Sequence, residues 1–140
     1  MDIIDQFSLF YTDLASMKVD ELSNIYSQDI VFIDPIEKHE GIASVENYFT
    51  RLLNNAKFCT FTIHSKQATE DSGYIVTWTM KFTSKSMKWG KPISVDGVTL
   101  LKIHKDKIVY HRDYYDLGQM VYENIPVLGR LITKIKRSIG

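Results

Sequence analysis

The sequence Lys107-Ile-Val-Tyr-His-Arg-Asp-Tyr-Tyr-Asp116 has the composition of a β-strand, yet it carries polar groups on both sides. β-Branched and aromatic residues dominate it, and the Asp106-Lys107 pair is typical of a hairpin turn. Side chains alternate along a strand, so one face is predicted to carry Val109, His111, Asp113 and Tyr115. A carboxylate and an imidazole would then stand about 7 Å apart on one wall. The pattern fits either a satisfied structural pair or part of a ligand pocket.

The composition indicates one domain over residues 1–140 and argues against several classes of protein. With 44% hydrophobic residues, the chain can bury a substantial core. Lys+Arg and Asp+Glu are balanced at 17 each, which argues against nucleic acid as a partner. The single cysteine, Cys59, excludes an internal disulfide and a cysteine-based metal site, and we expect it to be buried. Without a signal-peptide pattern or an apolar run of roughly 18 residues, we predict a cytoplasmic location.

Apolar residues at three- and four-residue spacing predict three helices in the first third of the chain. They cover 2–16, with Asp2 as the N-cap, 19–26 and 41–53. The apolar stripe of the first helix consists of Ile3, Ile4, Phe7, Phe10, Tyr11 and Leu14.

Alternating side chains predict β-strands at 29–35, 58–68, 74–83, 93–104 and 107–116. Strands joined by tight turns form an antiparallel meander, so the fold class is α+β, with the N-terminal helices on the concave face of a curved sheet. The sides of two strands predicted to face inward carry Trp78, Met80 and Phe82, and Ile93 and Val95.

Three other polar residues stand at informative places. Asp34 precedes Pro35 at a strand end, which suits either a functional carboxylate or an Asx-turn that binds backbone N–H groups. His39 in a polar loop is expected to be solvated, and His64, which shares a face with threonines, is expected to point outward.

The segment after the sheet, about 117–139, is predicted to be a helical extension with a break at Pro126. Its second half is amphipathic and basic. Such a helix can lie on an anionic membrane, but packing on its own domain or on a dimer partner is the favoured alternative.

Two stretches resemble those of the nuclear transport factor 2-like fold and its SnoaL-like polyketide cyclases, ketosteroid isomerases and limonene epoxide hydrolases. Asp29-Ile-Val-Phe-Ile-Asp-Pro35, followed by Gly41, is similar to the family's "D-x-V-x-x-D-P…G" pattern. The stretch from Asp106 to Leu117 is similar to its last strand, "G-K-I-x-x-W-R-D-Y-F-D". The resemblance spans about residues 2–120.

The resemblance implies a cone-shaped cavity between the sheet and the helices. Asp34 matches the proton-abstracting Asp of the isomerases, and Asp113 matches the water-activating Asp of the hydrolases, with His111 in place of a Trp. These three are the candidate catalytic residues. The candidate ligand-binding residues are Tyr11, Trp78, Met80, Phe82, Ile93, Val95 and Tyr115.

The resemblance reproduces neither the complete isomerase site nor the complete hydrolase site. The isomerases' first-helix tyrosine falls at Phe10, next to Tyr11, and the hydrolases' partner Arg and Asp fall at Trp78 and Met80. One hypothesis is an acid–base enzyme that needs no cofactor or metal and acts on a small, largely apolar molecule. The alternative is a non-catalytic ligand-binding or dimerisation module. For both we expect a homodimer formed through the outer face of the sheet.

Overall fold

A computed structural model describes residues 1–84, 91–120 and 128–139. Helix α1 spans Ile3–Thr12, and the Asp2 side chain caps it by accepting a hydrogen bond from the backbone N–H of Asp5. Its stripe of Ile3, Ile4, Phe7 and Tyr11 is buried. The predicted helix continues only as a 3₁₀ turn at Leu14–Ser16.

The second predicted helix is a 3₁₀ helix at Val19–Asn24, and strand β1 begins at Tyr26. Helix α2 spans Ile42–Asn55 and packs on β1 and the third strand through residues such as Val45 and Phe49. Gly41, just before α2, has φ +85°, a conformation that favours glycine.

Within the described residues, six strands form one sheet in the order β2-β1-β6-β5-β4-β3. Their bounds are β1 Tyr26–Ile33, β2 Lys38–Glu40, β3 Ala56–Ala68, β4 Gly73–Ser84, β5 Ile93–His104 and β6 Lys107–Tyr115. The predicted α+β class is confirmed, with α1 packing on β3 and α2 packing on β1 and β3. The core of aliphatic and aromatic side chains lies between the helices and the sheet.

The sheet differs from the expected antiparallel meander in two places. β1 pairs parallel with β6, and the short strand β2 pairs antiparallel with β1 at the far edge. The chain can make the parallel pair because α2 and four further strands separate β1 from β6, which gives it length for the crossover.

A register shift in β6 also corrects one predicted facing. Ile103 pairs with Ile108 and Lys102 pairs with Tyr110, so Val109 is the extra residue of a bulge. As a result Ile108 is fully buried, while Val109, which alternation alone places inward, is half-buried. His111, Asp113 and Tyr115 keep the inner face.

Beyond the sheet, α3 spans Leu117–Met120 and lies over β5, and α4 spans Leu128–Ile139. The predicted break at Pro126 lies outside the described residues. Among the helices of the described ranges, none has the length and apolar character needed to cross a membrane.

Candidate functional site

A cavity of about 420 Å³ lies between the helices and the inner face of the sheet. Aromatic and aliphatic side chains form most of its wall, and Asp113 is a carboxylate among them. The lining includes Tyr11, Phe32, Tyr48, Phe49, Cys59, Phe61, Trp78, Met80, Phe82, Asp113 and Tyr115. The volume suits a small organic molecule, and a few polar groups in an apolar wall are the usual composition of a ligand site.

Asp113 is held by one of its two carboxylate oxygens. Oδ1 accepts hydrogen bonds from Thr99 Oγ1 at 2.5 Å and from His111 Nε2 at 2.7 Å. Oδ2 accepts none from the described residues, and the side chain, 17% exposed, lines the cavity. The geometry therefore fixes the carboxyl plane and leaves one oxygen open to a ligand.

A buried chain of hydrogen bonds leads to Asp113 from α1. Tyr11 Oη lies 2.7 Å from Tyr26 Oη, which lies 2.8 Å from His111 Nδ1. A carboxylate can only accept, so His111 Nε2 carries the proton that it donates to Asp113. For a neutral imidazole, Nδ1 then accepts from Tyr26, and Tyr26 accepts from Tyr11. Each donor in this chain points toward Asp113.

Burial keeps both tyrosines protonated. It is the main cause that raises the pKa of Tyr11 and that of Tyr26, and the nearby Asp113 charge raises both further. His111 is 1% exposed and stacks on Phe32 with ring centroids 4.1 Å apart. The imidazole is therefore fixed behind the cavity wall and reaches it through Asp113.

A second chain reaches Asp113 from the sheet. Trp78 Nε1 donates to Thr99 Oγ1 at 2.8 Å, and Thr99 donates in turn to Asp113. The Trp78 ring lies over Gly97, where any Cβ would overlap its six-membered ring. Gly97 thus leaves the space in which Trp78 lines the cavity and reaches Thr99.

Asp34 has a different environment. Its Oδ1 accepts from the backbone N–H groups of Ile36 and Glu37 at 2.8 and 2.9 Å, and Oδ2 accepts from Tyr48 Oη at 2.9 Å. The residue is 6% exposed. Burial first, and then the Asp34 charge, raise the pKa of Tyr48, so the phenol remains a donor. The carboxylate closes an Asx-turn and does not line the cavity, although Tyr48 does.

The structure places the other candidate ligand-binding residues in two groups. Tyr11, Trp78, Met80, Phe82 and Tyr115 line the cavity. Ile93 and Val95 do not: they are buried on β5, where α3 lies over the strand. Their predicted inward facing is right, but α3 covers this part of the sheet, and so they are core residues and not cavity wall.

Tyr115 presents a polar group in the cavity wall. Its hydroxyl has no hydrogen-bond partner among the described residues. Burial is the main cause that raises its pKa, followed by the charges of Asp34 and Asp113. This hydroxyl can therefore donate a hydrogen bond to a ligand oxygen.

The exposed part of the lining marks the cavity mouth. It includes Ile36, Glu37 and Arg51, with Arg51 Nη2 3.8 Å from Glu37 Oε2. Glu37 also lies 3.5 Å from His39 Nε2. The expectation that His39 is solvated is wrong: it is 3% exposed and packs against Tyr48, because β2 pairs with β1 and turns it inward.

Cys59 and His64 lie where the sequence predicts. Cys59 is buried in the cavity wall, and burial raises the pKa of its thiol to about 11. His64 is exposed on the outer face, and its Nε2 lies 2.7 Å from Thr79 Oγ1. Asp96 is also exposed on the outer face and accepts a hydrogen bond from Thr79 at 2.6 Å. In the described ranges no group of three or more His, Cys, Asp or Glu residues is placed to hold a metal ion.

Sequence reasoning missed four residues that shape the site, namely Tyr26, Tyr48, Gly97 and Thr99. Thr99 left a signal, because it is a hydroxyl on the apolar side of β5. Gly97 left another, because a glycine inside a strand often marks a close approach. Tyr26 and Tyr48 left none, since each reads as an ordinary aromatic core position.

The comparisons agree with this architecture. Solved structures with the same fold include a ketosteroid isomerase-like protein from Catenulispora acidiphila in complex with trimethylamine, 18% identical over 89% of this chain and 93% of that one, with a TM-score of 0.75. A protein named as a SnoaL-like polyketide cyclase from Jannaschia sp. CCS1 is 15% identical over 89% and 92% of the two chains, with a TM-score of 0.73. An LEH-like epoxide hydrolase from M. tuberculosis is 15% identical over 84% and 81%, with a TM-score of 0.69.

The sheet, its helices and the enclosed cavity define a protein of the nuclear transport factor 2-like fold. The family model of the SnoaL-like domain matches residues 7–111, and the chain belongs to that family. None of the curated proteins matches it in sequence.

Proposed function

We propose that this protein is an acid–base enzyme without a cofactor, in which Asp113 takes a proton from a small, largely apolar molecule bound in the cavity. The observation that carries the proposal is the asymmetry of Asp113. One oxygen is held by His111 and Thr99, the other accepts no hydrogen bond from the described residues, and the residue lines an apolar cavity. A general base needs this combination of fixed orientation and a free lone pair.

The reaction class that this arrangement supports is isomerisation, cyclisation or dehydration. Oδ2 of Asp113 takes a proton from the substrate, and the electrons of the broken bond move toward an electronegative substrate atom. The Tyr115 hydroxyl stays protonated and can donate a hydrogen bond to that atom. The proton then returns to another substrate position or leaves with a departing group.

The relatives support this class and argue against one variant of it. Structural neighbours named as a polyketide cyclase and an epoxide hydrolase share the fold. Trp78 and Met80 stand where the resemblance places the hydrolases' Arg and Asp, so their water-activating triad is incomplete here. We therefore assign Asp113 to proton abstraction from the substrate and not to activation of water.

A test without the natural substrate uses 5-nitrobenzisoxazole. A base removes its ring C–H proton, the N–O bond breaks, and a coloured cyanonitrophenolate forms. We expect the protein to accelerate this reaction about 100-fold or more over buffer carboxylate, and Asp113→Asn to abolish the acceleration. An unaccelerated reaction with the wild-type protein, or full activity of Asp113→Asn, would overturn the assignment.

A matched control is Asp96→Asn. Asp96 also accepts a hydrogen bond from a threonine, but it lies exposed on the outer face of the sheet. Its substitution should leave the rate unchanged. A loss of rate equal to that of Asp113→Asn would show that the reaction occurs outside the cavity.

The alternative is a non-catalytic binding module, and the negative charge of the Asp113 carboxylate favours it. Arg51 is the cation among the described residues of the cavity lining, and it lies exposed at the mouth beside Glu37. A carboxylate among aromatic rings suits an alkylammonium ion, and one structural neighbour holds trimethylamine. Calorimetric titration with trimethylammonium should then give binding that Asp113→Asn weakens at least tenfold. Equal binding of the two proteins contradicts this alternative.

We also propose a cytoplasmic homodimer that associates through the outer face of the sheet. Val98 and Tyr114 are large hydrophobic residues exposed on that face, next to the half-buried Leu100. Static light scattering at micromolar concentration should give twice the mass of the chain. Val98→Lys should reduce it to the monomer mass, and a monomeric wild-type protein would contradict the proposal.

A further inference from the structure

Helix α4 has a charge unlike that of the rest of the chain. Its 12 residues contain Arg130, Lys134, Lys136 and Arg137 and no Asp or Glu. The whole chain has 17 basic and 17 acidic residues, so 13 basic residues oppose 17 acidic ones outside α4, a net charge of −4. A strongly basic helix therefore accompanies an acidic domain.

The helix contacts the domain along one side. Gly129 is buried, Ile132 and Thr133 are half-buried, and Lys136 Nζ lies 3.2 Å from Asp116 Oδ2 just beyond β6. The other residues of α4 are exposed.

Next to that contact side, an apolar stripe is left exposed. At 3.6 residues per turn, its four members fall within an arc of roughly 80°. They are Leu128, Leu131, Ile135 and Ile139. Leu131 and Ile135 are 54% and 46% exposed, so the helix does not serve as a closed lid that buries this stripe on its own domain.

Exposed cations border the stripe. Arg130, Lys134 and Arg137 are all exposed and follow it around the helix on the side away from Lys136. A row of exposed apolar side chains beside cations, without any anion, has the chemistry of a helix that lies in the interface of an anionic bilayer. The apolar row enters the acyl boundary while the cations meet lipid phosphates and carboxylates.

We propose that α4 docks the protein on an anionic membrane surface through this face. The charge decides between the partners. A second copy of the acidic domain would attract the cations, but its exposed pair Val98 and Tyr114 belongs to the dimer contact proposed above. A neutral bilayer would bind the apolar row but not the cations. The site in the cavity is independent of this docking surface, because Asp113 lies on β6 within the sheet.

The test is flotation of the full chain with vesicles of phosphatidylcholine alone or with about one third phosphatidylserine. We expect flotation with the anionic vesicles only, and its loss at high salt. Leu131→Gln/Ile135→Gln should abolish flotation. Arg130→Gln/Lys134→Gln should lower the partition constant on the order of 30-fold, since each cation contributes roughly fivefold.

Matched control variants make the same kinds of substitution outside α4. Leu9→Gln removes an exposed leucine of α1, and Lys18→Gln/Lys91→Gln removes two exposed lysines. Both controls should float like the wild type, and circular dichroism should show all variants folded. Equal losses in the controls would mean non-specific adsorption and would overturn the proposal.

Two further results would overturn it. The protein could stay with the unfloated fraction for both vesicle types, or float equally well with neutral vesicles. Light scattering without lipid separates the competing partner: if Leu131→Gln/Ile135→Gln halves the mass of the particle, the stripe belongs to an interface between two copies.

Discussion

The turn after β1 and strand β6 each carry an aspartate with little exposure, but they use the carboxylate differently. Asp34 receives three donors, two from the backbone and one from Tyr48, so both oxygens are occupied. Asp113 lines the cavity and receives two donors on one oxygen, while the other oxygen receives none from the described residues. The motif resemblance makes both candidates for the base, and the hydrogen bonds separate them. A carboxylate that closes a turn stabilises the fold, while one that is held on a single oxygen can react.

The largest expected effect comes from Gly97→Ala, which breaks the support of Asp113. The new Cβ overlaps the Trp78 ring, so the ring must move and its bond to Thr99 is lost. We expect a loss of about 3 kcal/mol and a melting temperature lower by about 12 °C. Calorimetry measures the loss of stability and the melting temperature, and Trp fluorescence should show a more solvated indole. An unchanged melting temperature would show that Trp78 does not need this space.

The sequence predicts more about this strand than about the space around it. Alternation and the bulge-free part of β6 place His111, Asp113 and Tyr115 on the inner face. The family motif also places Asp34 in its turn. Which carboxylate is saturated depends on Tyr48 and Thr99, each 14 residues away in the chain from the aspartate that it binds, and no local pattern encodes those contacts.

The second largest loss of stability is expected for Asp34→Asn, at the carboxylate that has both oxygens occupied. The amide keeps an acceptor for the two backbone N–H groups but loses its charge, and its NH₂ group replaces the oxygen that accepts from Tyr48. We expect about 2 kcal/mol of destabilisation, or about 8 °C by thermal melting. For Asp113→Asn the open oxygen loses no protein donor, so the shift should be at most about 3 °C. Equal shifts for the two variants would remove the distinction between them.

The residues whose surroundings the sequence predicts wrongly share a physical cause. His39 reads as a polar loop residue because β2 is only three residues long, and pairing with β1 turns it inward. Ile93 and Val95 read as cavity wall because alternation fixes the face of a strand but not which helix covers it. Tertiary contacts decide both.

A smaller effect is expected from Tyr26→Phe, which cuts the chain from α1 to Asp113. It leaves Tyr11 Oη and His111 Nδ1 without their partner, at a cost of about 1.5 kcal/mol near pH 8. The raised pKa of Tyr26 gives the sign of the pH dependence. The unfolded phenol ionises near pH 10 while the folded one does not, so wild-type stability falls above about pH 10.

The variant lacks this ionisation and should lose less stability there. The difference in melting temperature between wild type and Tyr26→Phe should therefore narrow from pH 8 to pH 11. If the difference stays constant or widens, Tyr26 is not held protonated by burial.

The smallest expected effect concerns the cavity wall at Cys59, and it tests whether this wall excludes water. With a pKa of about 11, only about one in a thousand Cys59 thiols is ionised at pH 8. Ellman's reagent should therefore react at least 100-fold more slowly with the folded protein than with the protein in guanidinium chloride. Equal rates would mean that the cavity wall opens to water and reagent.

The most direct measurement is the turnover of 5-nitrobenzisoxazole by Asp113→Asn and Asp34→Asn side by side, at a temperature where melting curves show both variants folded. If Asp113 is the base, its variant falls to the buffer rate while keeping its melting temperature, because the amide retains the bonds from His111 and Thr99 but cannot take the proton. Asp34→Asn keeps most of the rate despite its lower stability. The opposite result, with the rate lost in Asp34→Asn and retained in Asp113→Asn, would contradict the account and move the base to the turn after β1.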